Sequence, residues 1–171
     1  PFEEPLYETT EELSVQPIIT NPKPEAFPLI IENNEEVISV WNTAKRKLIL
    51  VGVNEANTID KEIIENLASD PSVVVLTETT SNLHHESFIN SIDTLITPFD
   101  DFDFKKFNPE VLVTFGGMVV SKRIKGFLRK YKPKRHWHID TLRAYDTFGA
   151  LTKHFEMQPN DFFKDLLSKT A

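Results

Sequence analysis

The sequence predicts an α/β domain of three layers, α/β/α, with a mostly parallel central sheet of five or six strands. Two observations support this fold class. Short apolar runs typical of buried parallel strands recur along the chain, and segments with apolar residues at helical spacing separate them. The chain also has 171 residues, of which 40% are hydrophobic, which is enough for one domain with a sizeable core.

The start of the chain differs in composition from the rest. Residues 1–32 are rich in proline and in acidic side chains, which is typical of an extended linker. We therefore divide the chain into a linker over residues 1–32 and a single domain over residues 33–171. The first residue is Pro1 rather than methionine, and we expect the chain to be a piece of a longer protein.

The first half of the domain predicts two helices that alternate with two strands. A capping residue, followed by apolar residues that share one helical face, indicates the start of each helix. The predicted elements are a helix that starts at the capping pair Asn33 and Glu36, a strand over 47–52, a helix capped by Thr58 and stopped at Asp70, and a strand over 72–77.

The second half continues this alternation. The segment 88–96 predicts a short helix that runs into a short strand at 95–96, and the phenylalanines of 99–107 are expected to contact the core from a connecting segment. The remaining predicted elements are a strand over 111–115, a helix over 121–131, strands over 136–140 and 153–157, and a last helix capped by Asn160. Because crossovers between parallel strands are right-handed, this order of elements indicates a Rossmann-like fold.

The carboxyl ends of the predicted strands are where we expect a ligand, because open α/β sheets bind ligands at that edge. The segments that should meet there are Gly52, 78–86, 116–123 and 140–146. The second of them holds Ser81 and Asn82, whose side chains are candidates for contact with a substrate.

The strongest indication of a binding site lies in 111–131, where a strand, two glycines and a capped helix follow one another. Ser121 is a good N-cap, so Lys122 and Arg123 fall in the first helical turn. The positive end of the helix dipole makes each cation cost about 0.3–1 kcal/mol there, and a bound anion would reverse that cost. The sequence thus predicts an anion-binding corner formed by Lys122 and Arg123, with Ser121 as cap and weaker contact. The alternative is a pair of solvent-exposed cations.

Charge and composition argue against several classes of protein. The net charge of −7 argues against a general nucleic-acid-binding protein, although eight of the 19 cations lie in 121–135. That run is typical of a solvated helix face followed by a basic loop. The absence of cysteine excludes disulfides and fits a reducing compartment. No apolar run approaches the roughly 20 residues of a membrane span. We expect a cytoplasmic protein with no membrane span and no nucleic-acid partner.

Weaker patterns suggest other chemistry. His136, His138 and Asp140 alternate along a predicted strand and share one face, which suits a metal site as well as a polar strand near a sheet edge. The turn after the first predicted strand has one glycine, Gly52, and lacks the spacing of a dinucleotide-binding loop. The acidic residues 100–103 lack the glycine and the closing glutamate of a calcium loop. We assign no metal ligand and no catalytic residue to this chain.

Several motifs of the chain resemble a known enzyme family. The segment Pro1-Phe-Glu-Glu-Pro-Leu-Tyr7 is similar to its P-F-x-E-P-L-Y motif. Phe115-Gly-Gly, with the Ser-Lys-Arg and Phe-Leu that follow, is similar to its G-x-x-x-x-x-K-R-x-x-x-x-L element. The strands at 47–52 and Trp137-His-Ile-Asp140 also occur in family order. The family is that of the 2-succinyl-5-enolpyruvyl-6-hydroxy-3-cyclohexene-1-carboxylate synthases, thiamine-diphosphate-dependent transferases of menaquinone biosynthesis.

The resemblance implies that residues 33–171 are the Rossmann-like middle domain of such an enzyme. The family decarboxylates 2-oxoglutarate on thiamine diphosphate, with Mg²⁺ or Mn²⁺ present, and adds the succinyl unit to isochorismate. The flanking pyrimidine-binding and diphosphate-binding domains would then hold the cofactor, the metal and the catalytic groups. This chain alone would bind no cofactor and be inactive, and the parent enzyme would be a homo-oligomer.

The resemblance also assigns a role to the anion-binding corner. Lys122 and Arg123 match the family pair that reaches the active site from the middle domain and contacts substrate carboxylates. Ser121 is a cap first and a weaker candidate for contact. The residues alone also allow a stand-alone Rossmann-like module that binds a nucleotide or another anion.

Overall fold

The computed structural model describes residues 34–170 of the chain. The linker predicted over residues 1–32 and the predicted cap Asn33 lie outside the described residues, so both stay predictions. Within the described part of the chain, no helix has the length and apolar character needed to cross a membrane.

A five-stranded sheet forms the centre of the structure, and all of its neighbouring strands are parallel. The strands are β1 (Lys47–Val51), β2 (Val73–Leu76), β3 (Val111–Phe115), β4 (Arg135–Ile139) and β5 (Lys153–Phe155). Their order across the sheet is β2-β1-β3-β4-β5, so the winding direction reverses between β1 and β3. The predicted parallel sheet of five or six strands is confirmed.

Helices cover both faces of this sheet and complete the predicted three-layer, Rossmann-like architecture. The helices are α1 (Asn34–Thr43), α2 (Lys61–Ser69), α3 (Ile92–Ile96), α4 (Asp101–Phe107), α5 (Lys122–Lys130) and α6 (Pro159–Leu167). The helices α1, α2 and α6 pack on one face, and α3, α4 and α5 pack on the other. A short 3₁₀ turn, Thr79–Ser81, follows β2.

The alternation of side chains along the strands divides the interior into two cores. In β1, Ile49 and Val51 face α1, α2 and α6, whereas Leu48 and Leu50 face the helices on the opposite side. Every residue of β1 and of β3 is buried. Because both faces of the sheet are covered, these strands are apolar almost throughout, and that pattern made them predictable from the sequence.

The predicted N-caps of α2 and α6 are wrong, and a long-range hydrogen bond joins the starts of these two helices. The helix α2 starts after Asp60 rather than Thr58, and α6 starts after Gln158 with Pro159 as its first residue. Asn160 instead accepts a hydrogen bond from Asp60 N at 2.8 Å. Its Nδ2 donates to Asp60 Oδ2 at 3.2 Å. The side chain expected to cap α6 therefore joins the starts of two helices that are 100 residues apart.

The short strand predicted at 95–96 is also wrong. Those residues belong to α3, in which Ile92 and Ile96 lie one helical turn apart and are both buried. An isolated parallel bridge forms earlier in the chain, between Leu76 and Ile89.

The connection predicted before β3 contains a helix, α4. Asp100 caps this helix, because its Oδ1 accepts hydrogen bonds from the N–H groups of Phe102 and Asp103 at 2.8 and 2.9 Å. Phe104 stacks on Phe127 with ring centroids 5.1 Å apart, as expected of a core contact. Phe102 is 72% exposed, so its predicted core contact is wrong, because the helical turn places it on the solvent side.

The loops after β1 and β3 are in direct contact at the place where the sheet reverses its winding. Gly52 N donates to the carbonyl of Phe115 at 2.9 Å. Val53 makes two hydrogen bonds with the opposite loop, from its N to Met118 O at 3.2 Å and from Gly117 N to its own O at 2.6 Å. A Cβ on Gly52 would lie 2.1 Å from Gly117 O, so this approach requires glycine.

We expect Gly52→Ala to lower the free energy of unfolding of the chain by about 3 kcal/mol, because the added methyl group separates the two loops. Urea denaturation of the purified chain measures the change. Gly126→Ala is the matched control, since Gly126 lies within α5 and, apart from its chain neighbours and its own helix backbone, no atom of the described residues lies within 4 Å of the added Cβ. The free energy of unfolding of that variant should exceed that of the unaltered chain by about 0.5–1 kcal/mol. Equal unfolding free energies for the two variants would contradict the close packing of the loops.

Candidate functional site

Four segments that the sequence assigned to one edge of the sheet meet there in the structure. The loops after β1 and β3 touch through Gly52 and Gly117. The loop after β2 reaches the loop after β3 through Glu78. The loop after β4 lines a cavity together with the loop after β3, through residues that include Asp140 and Met118. The predicted common edge is therefore confirmed for the described residues.

The helix α5 starts as the sequence predicted. Ser121 is its N-cap, and its Oγ accepts a hydrogen bond from Ile124 N at 3.2 Å. Lys122 and Arg123 are the first two residues of the helix, and both are exposed to solvent. Among residues 34–170, neither side chain has a carboxylate within 4.0 Å or a hydrogen-bond partner. The structure places the pair at the predicted edge with its charge unneutralised.

A carboxylate of the chain already occupies the backbone of this helix start. Glu78 accepts a hydrogen bond from Ser121 N at 2.7 Å through Oε1 and another from Val120 N at 2.7 Å through Oε2. Asp93 accepts a hydrogen bond from Ser121 Oγ. The positive end of α5 therefore faces two acidic side chains of the domain itself, which offsets the cost of the two cations. An external anion cannot bind the N–H groups of Val120 and Ser121, whereas the side chains of Lys122 and Arg123 are exposed to it.

Sequence reasoning missed Glu78, although it lies in the loop expected at this edge. Its partners are 42 and 43 residues away, and no local motif marks such a contact. Ser81, a candidate for substrate contact, is fully buried, and its Oγ donates to Val51 O at 2.7 Å. Its hydroxyl is therefore bonded inside the domain and is not exposed at the edge of the sheet where a substrate would bind. Asn82 is exposed, and its Nδ2 donates to Asn54 O at 2.8 Å.

Other cations of the basic run 121–135 have partners within the chain. Lys130 Nζ lies 2.9 Å from Asp101 Oδ1. Lys134 lies 3.7 Å from Glu110, and Arg129 Nε donates to Thr147 O at 2.9 Å. Lys125 Nζ donates to Val119 O at 3.0 Å. These contacts fit the interpretation of the run as a solvated helix face followed by a loop, and they leave less free charge for a polyanion.

The two histidines of the predicted pattern, His136 and His138, form a polar row with Thr114. Thr114 Oγ1 lies 2.8 Å from His136 Nε2 and 2.8 Å from His138 Nδ1, on the face of the sheet that carries α5. Asp140 Oδ1 accepts hydrogen bonds from the N–H groups of Leu142 and Arg143, at 2.7 and 2.9 Å, and so shapes the loop after β4. In the part of the chain that the structure describes, no three acidic or histidine side chains are placed to hold a metal ion.

A cavity of about 370 Å³ adjoins this histidine row. Its lining includes Phe115, Lys125, His136, His138, Tyr145 and Phe148. His136 is 1% exposed, and its Nδ1 has no hydrogen-bond partner among the described residues. Burial lowers the pKa of His136 to about 4. Burial also lowers the pKa of His138, so both rings are neutral at pH 7.

We expect the buried His136 to make the chain sensitive to acid. Its pKa is about 4 in the folded state and 6.5 when unfolded, so between these values only the unfolded chain takes up the proton. The free energy of unfolding should therefore fall as the pH is lowered from 6.5 to 4, by about 3 kcal/mol from this residue. Urea denaturation at stepped pH measures the loss, and His136→Gln should show a smaller one. Identical pH profiles for the two proteins would contradict the buried neutral state.

Comparison with known proteins identifies relatives of the chain. No model of a known protein family matches it. The chain is 72% identical over 171 residues to a 2-succinyl-5-enolpyruvyl-6-hydroxy-3-cyclohexene-1-carboxylate synthase of Flavobacterium johnsoniae. Synthases of the same name are 59% identical over 169 residues in Flavobacterium psychrophilum and 47% identical over 164 residues in Christiangramia forsetii.

These matches cover 99%, 99% and 90% of this chain. They cover 31%, 30% and 27% of the relatives, so the chain spans about a third of the length of the curated relatives it matches. The resemblance stated from the sequence motifs is confirmed by these identities. The chain belongs to the family of the 2-succinyl-5-enolpyruvyl-6-hydroxy-3-cyclohexene-1-carboxylate synthases and corresponds to a segment of those enzymes.

Proposed function

We propose that this chain is the middle domain of a thiamine-diphosphate-dependent synthase of menaquinone biosynthesis. The parent enzyme decarboxylates 2-oxoglutarate and adds the succinyl unit to isochorismate. In this proposal Lys122 and Arg123 bind carboxylates of these acidic substrates. The observation that carries it is the exposed, unneutralised pair at the carboxyl edge of the sheet.

The geometry of α5 suits this role. The Ser121 cap and the Glu78 carboxylate fix the backbone at the start of α5, from which both cationic side chains extend. The Arg123 guanidinium can form two parallel hydrogen bonds to one carboxylate, whereas the Lys122 ammonium acts as a point charge. Holding both groups on a fixed helix end reduces the ordering cost of binding.

The cofactor and the metal belong to other parts of the parent enzyme in this proposal. Between β1 and β3, where the sheet reverses its winding, the N–H group of Gly52 donates to the end of β3, and those of Val53 and Gly117 donate to the opposite loop. None of these three groups is free for a diphosphate. The described residues also offer no cluster of three metal ligands. These contacts support a site for thiamine diphosphate and its metal ion outside this chain. We expect the isolated chain to be inactive, and the parent to be a cytoplasmic homo-oligomer with flanking pyrimidine-binding and diphosphate-binding domains.

The same contacts weigh against a stand-alone nucleotide-binding module. A nucleotide at the switch point of such a sheet needs free backbone N–H groups and space between the loops. Here a Cβ on Gly52 would already lie 2.1 Å from Gly117 O. Titration calorimetry of this chain with NAD, FAD and ATP tests the alternative, and tight binding of any one of them would favour it.

We expect Lys122→Ala and Arg123→Ala, made in the full-length enzyme, each to raise the KM for an acidic substrate by about 10- to 100-fold. Loss of a hydrogen bond to a charged group costs about 1.5–3 kcal/mol, which corresponds to that range. The Kd for thiamine diphosphate should barely change. Steady-state kinetics with 2-oxoglutarate and isochorismate varied in turn provides the measurement.

The control is Lys134→Ala. Lys134 belongs to the same basic run, but it lies beside Glu110 at the opposite edge of the sheet. This variant should keep the KM values of the unaltered enzyme. If both variants of the pair also keep those values, Lys122 and Arg123 do not bind substrate.

A further inference from the structure

We infer that Glu78 is a positioning residue for substrate binding by Lys122 and Arg123. Its carboxylate binds the backbone N–H groups of the two residues that precede α5, Val120 and Ser121, and so holds the helix start that carries both cationic side chains. This inference rests on the proposed function of the pair.

The first support is the geometry of the contact. Both carboxylate oxygens of Glu78 are used, one for Val120 N and one for Ser121 N, each at 2.7 Å. Such charge-assisted hydrogen bonds are stronger than those between neutral groups. They join the loop after β2 to the last two residues before the helix. The direction in which α5 leaves the sheet therefore depends on Glu78.

The second support is that Glu78 itself is held in place. Its backbone N donates to Ser81 Oγ at 2.8 Å. The Ser81 hydroxyl donates in turn to the carbonyl of Val51 at 2.7 Å, and Ser81 is fully buried. The carboxylate is thus tied to the end of β1, a central strand of the sheet.

The third support is that Glu78 binds backbone N–H groups and neither cationic side chain. No oxygen of Glu78 lies within 4.0 Å of a cationic group of Lys122 or Arg123 among the described residues. The acidic side chain therefore engages the backbone and leaves the charge of both cations available. An acid paired with these side chains would compete with the substrate.

The affinity of free backbone N–H groups for carboxylates explains how Glu78 would affect substrate binding. Free N–H groups at a helix N-terminus bind carboxylates readily. At this edge they would offer a substrate a second position, displaced from the side chains of Lys122 and Arg123. Glu78 binds the N–H groups of Val120 and Ser121, so a substrate carboxylate cannot bind those two groups.

The test uses Glu78→Ala and Glu78→Gln in the full-length enzyme. We expect Glu78→Ala to raise the KM for an acidic substrate by about 10-fold, because the loss of its two charge-assisted hydrogen bonds releases the helix start that carries both cations. The kcat should fall less than the KM rises. Sodium formate should lower the KM of Glu78→Ala again, because formate can occupy the freed N–H groups. It should not do so in Glu78→Gln, whose amide fills the space and brings an N–H group against the backbone donors.

The matched control is Glu110→Ala. Glu110 also accepts a hydrogen bond from a backbone N–H, that of Lys45 at 2.7 Å, but it does so at the opposite edge of the sheet. This variant should lose stability without a change in KM. If Glu78→Ala behaves like Glu110→Ala, with reduced stability, unchanged KM and no response to formate, Glu78 has only a structural role and the inference is overturned.

Comparison with the variants of the pair separates the two hypotheses. If Lys122→Ala and Arg123→Ala raise the KM and Glu78→Ala does not, only the role of Glu78 is refuted. If neither variant of the pair changes the KM, the proposed function is refuted, whatever the Glu78 variants show.

Discussion

The close contact between the loops after β1 and β3 is the constraint on which the carboxyl edge of the sheet depends. Gly52 and Gly117 approach so closely that neither loop can shift without the other. The loop after β3 leads directly into α5, so the positions of Lys122 and Arg123 follow from this contact. Glu78 adds a second fixed point, at the last two residues before the helix. A short loop held at both ends leaves the helix start little freedom.

The edge also shows how an acidic chain keeps two cations available. The net charge is −7, so carboxylates are abundant, and several other cations of the basic run bind acids or carbonyls nearby. At the start of α5 the neighbouring acids contact backbone N–H groups and the Ser121 hydroxyl instead. The helix end is thereby stabilised through its dipole, while the side chains of Lys122 and Arg123 keep their full charge.

The parts of the structure that depend on local patterns could be predicted from the sequence. The strands β1 and β3 and the helix α5 with its Ser121 cap were predictable because apolar period and capping chemistry are short-range signals. The role of Asn160 and the contact of Glu78 were not, since their partners are 100 and more than 40 residues away. The helix α4 also has a local signal in the sequence, because Asp100 is a good N-cap residue.

The Thr114 hydroxyl has one proton but lies at hydrogen-bond distance from two imidazole rings. At least one ring must therefore donate to it, and the two neutral rings cannot both present an unprotonated nitrogen towards it. The choice of tautomer at His136 consequently restricts the choice at His138. The other nitrogen of His136, Nδ1, is buried and has no hydrogen-bond partner among the described residues, so Nε2 alone links this ring to the Thr114 hydroxyl there. The Thr114 hydroxyl also lies 3.5 Å from the carbonyl oxygen of Trp137, which can accept its proton when both rings donate to it, so the two rings and the hydroxyl form one hydrogen-bonding unit.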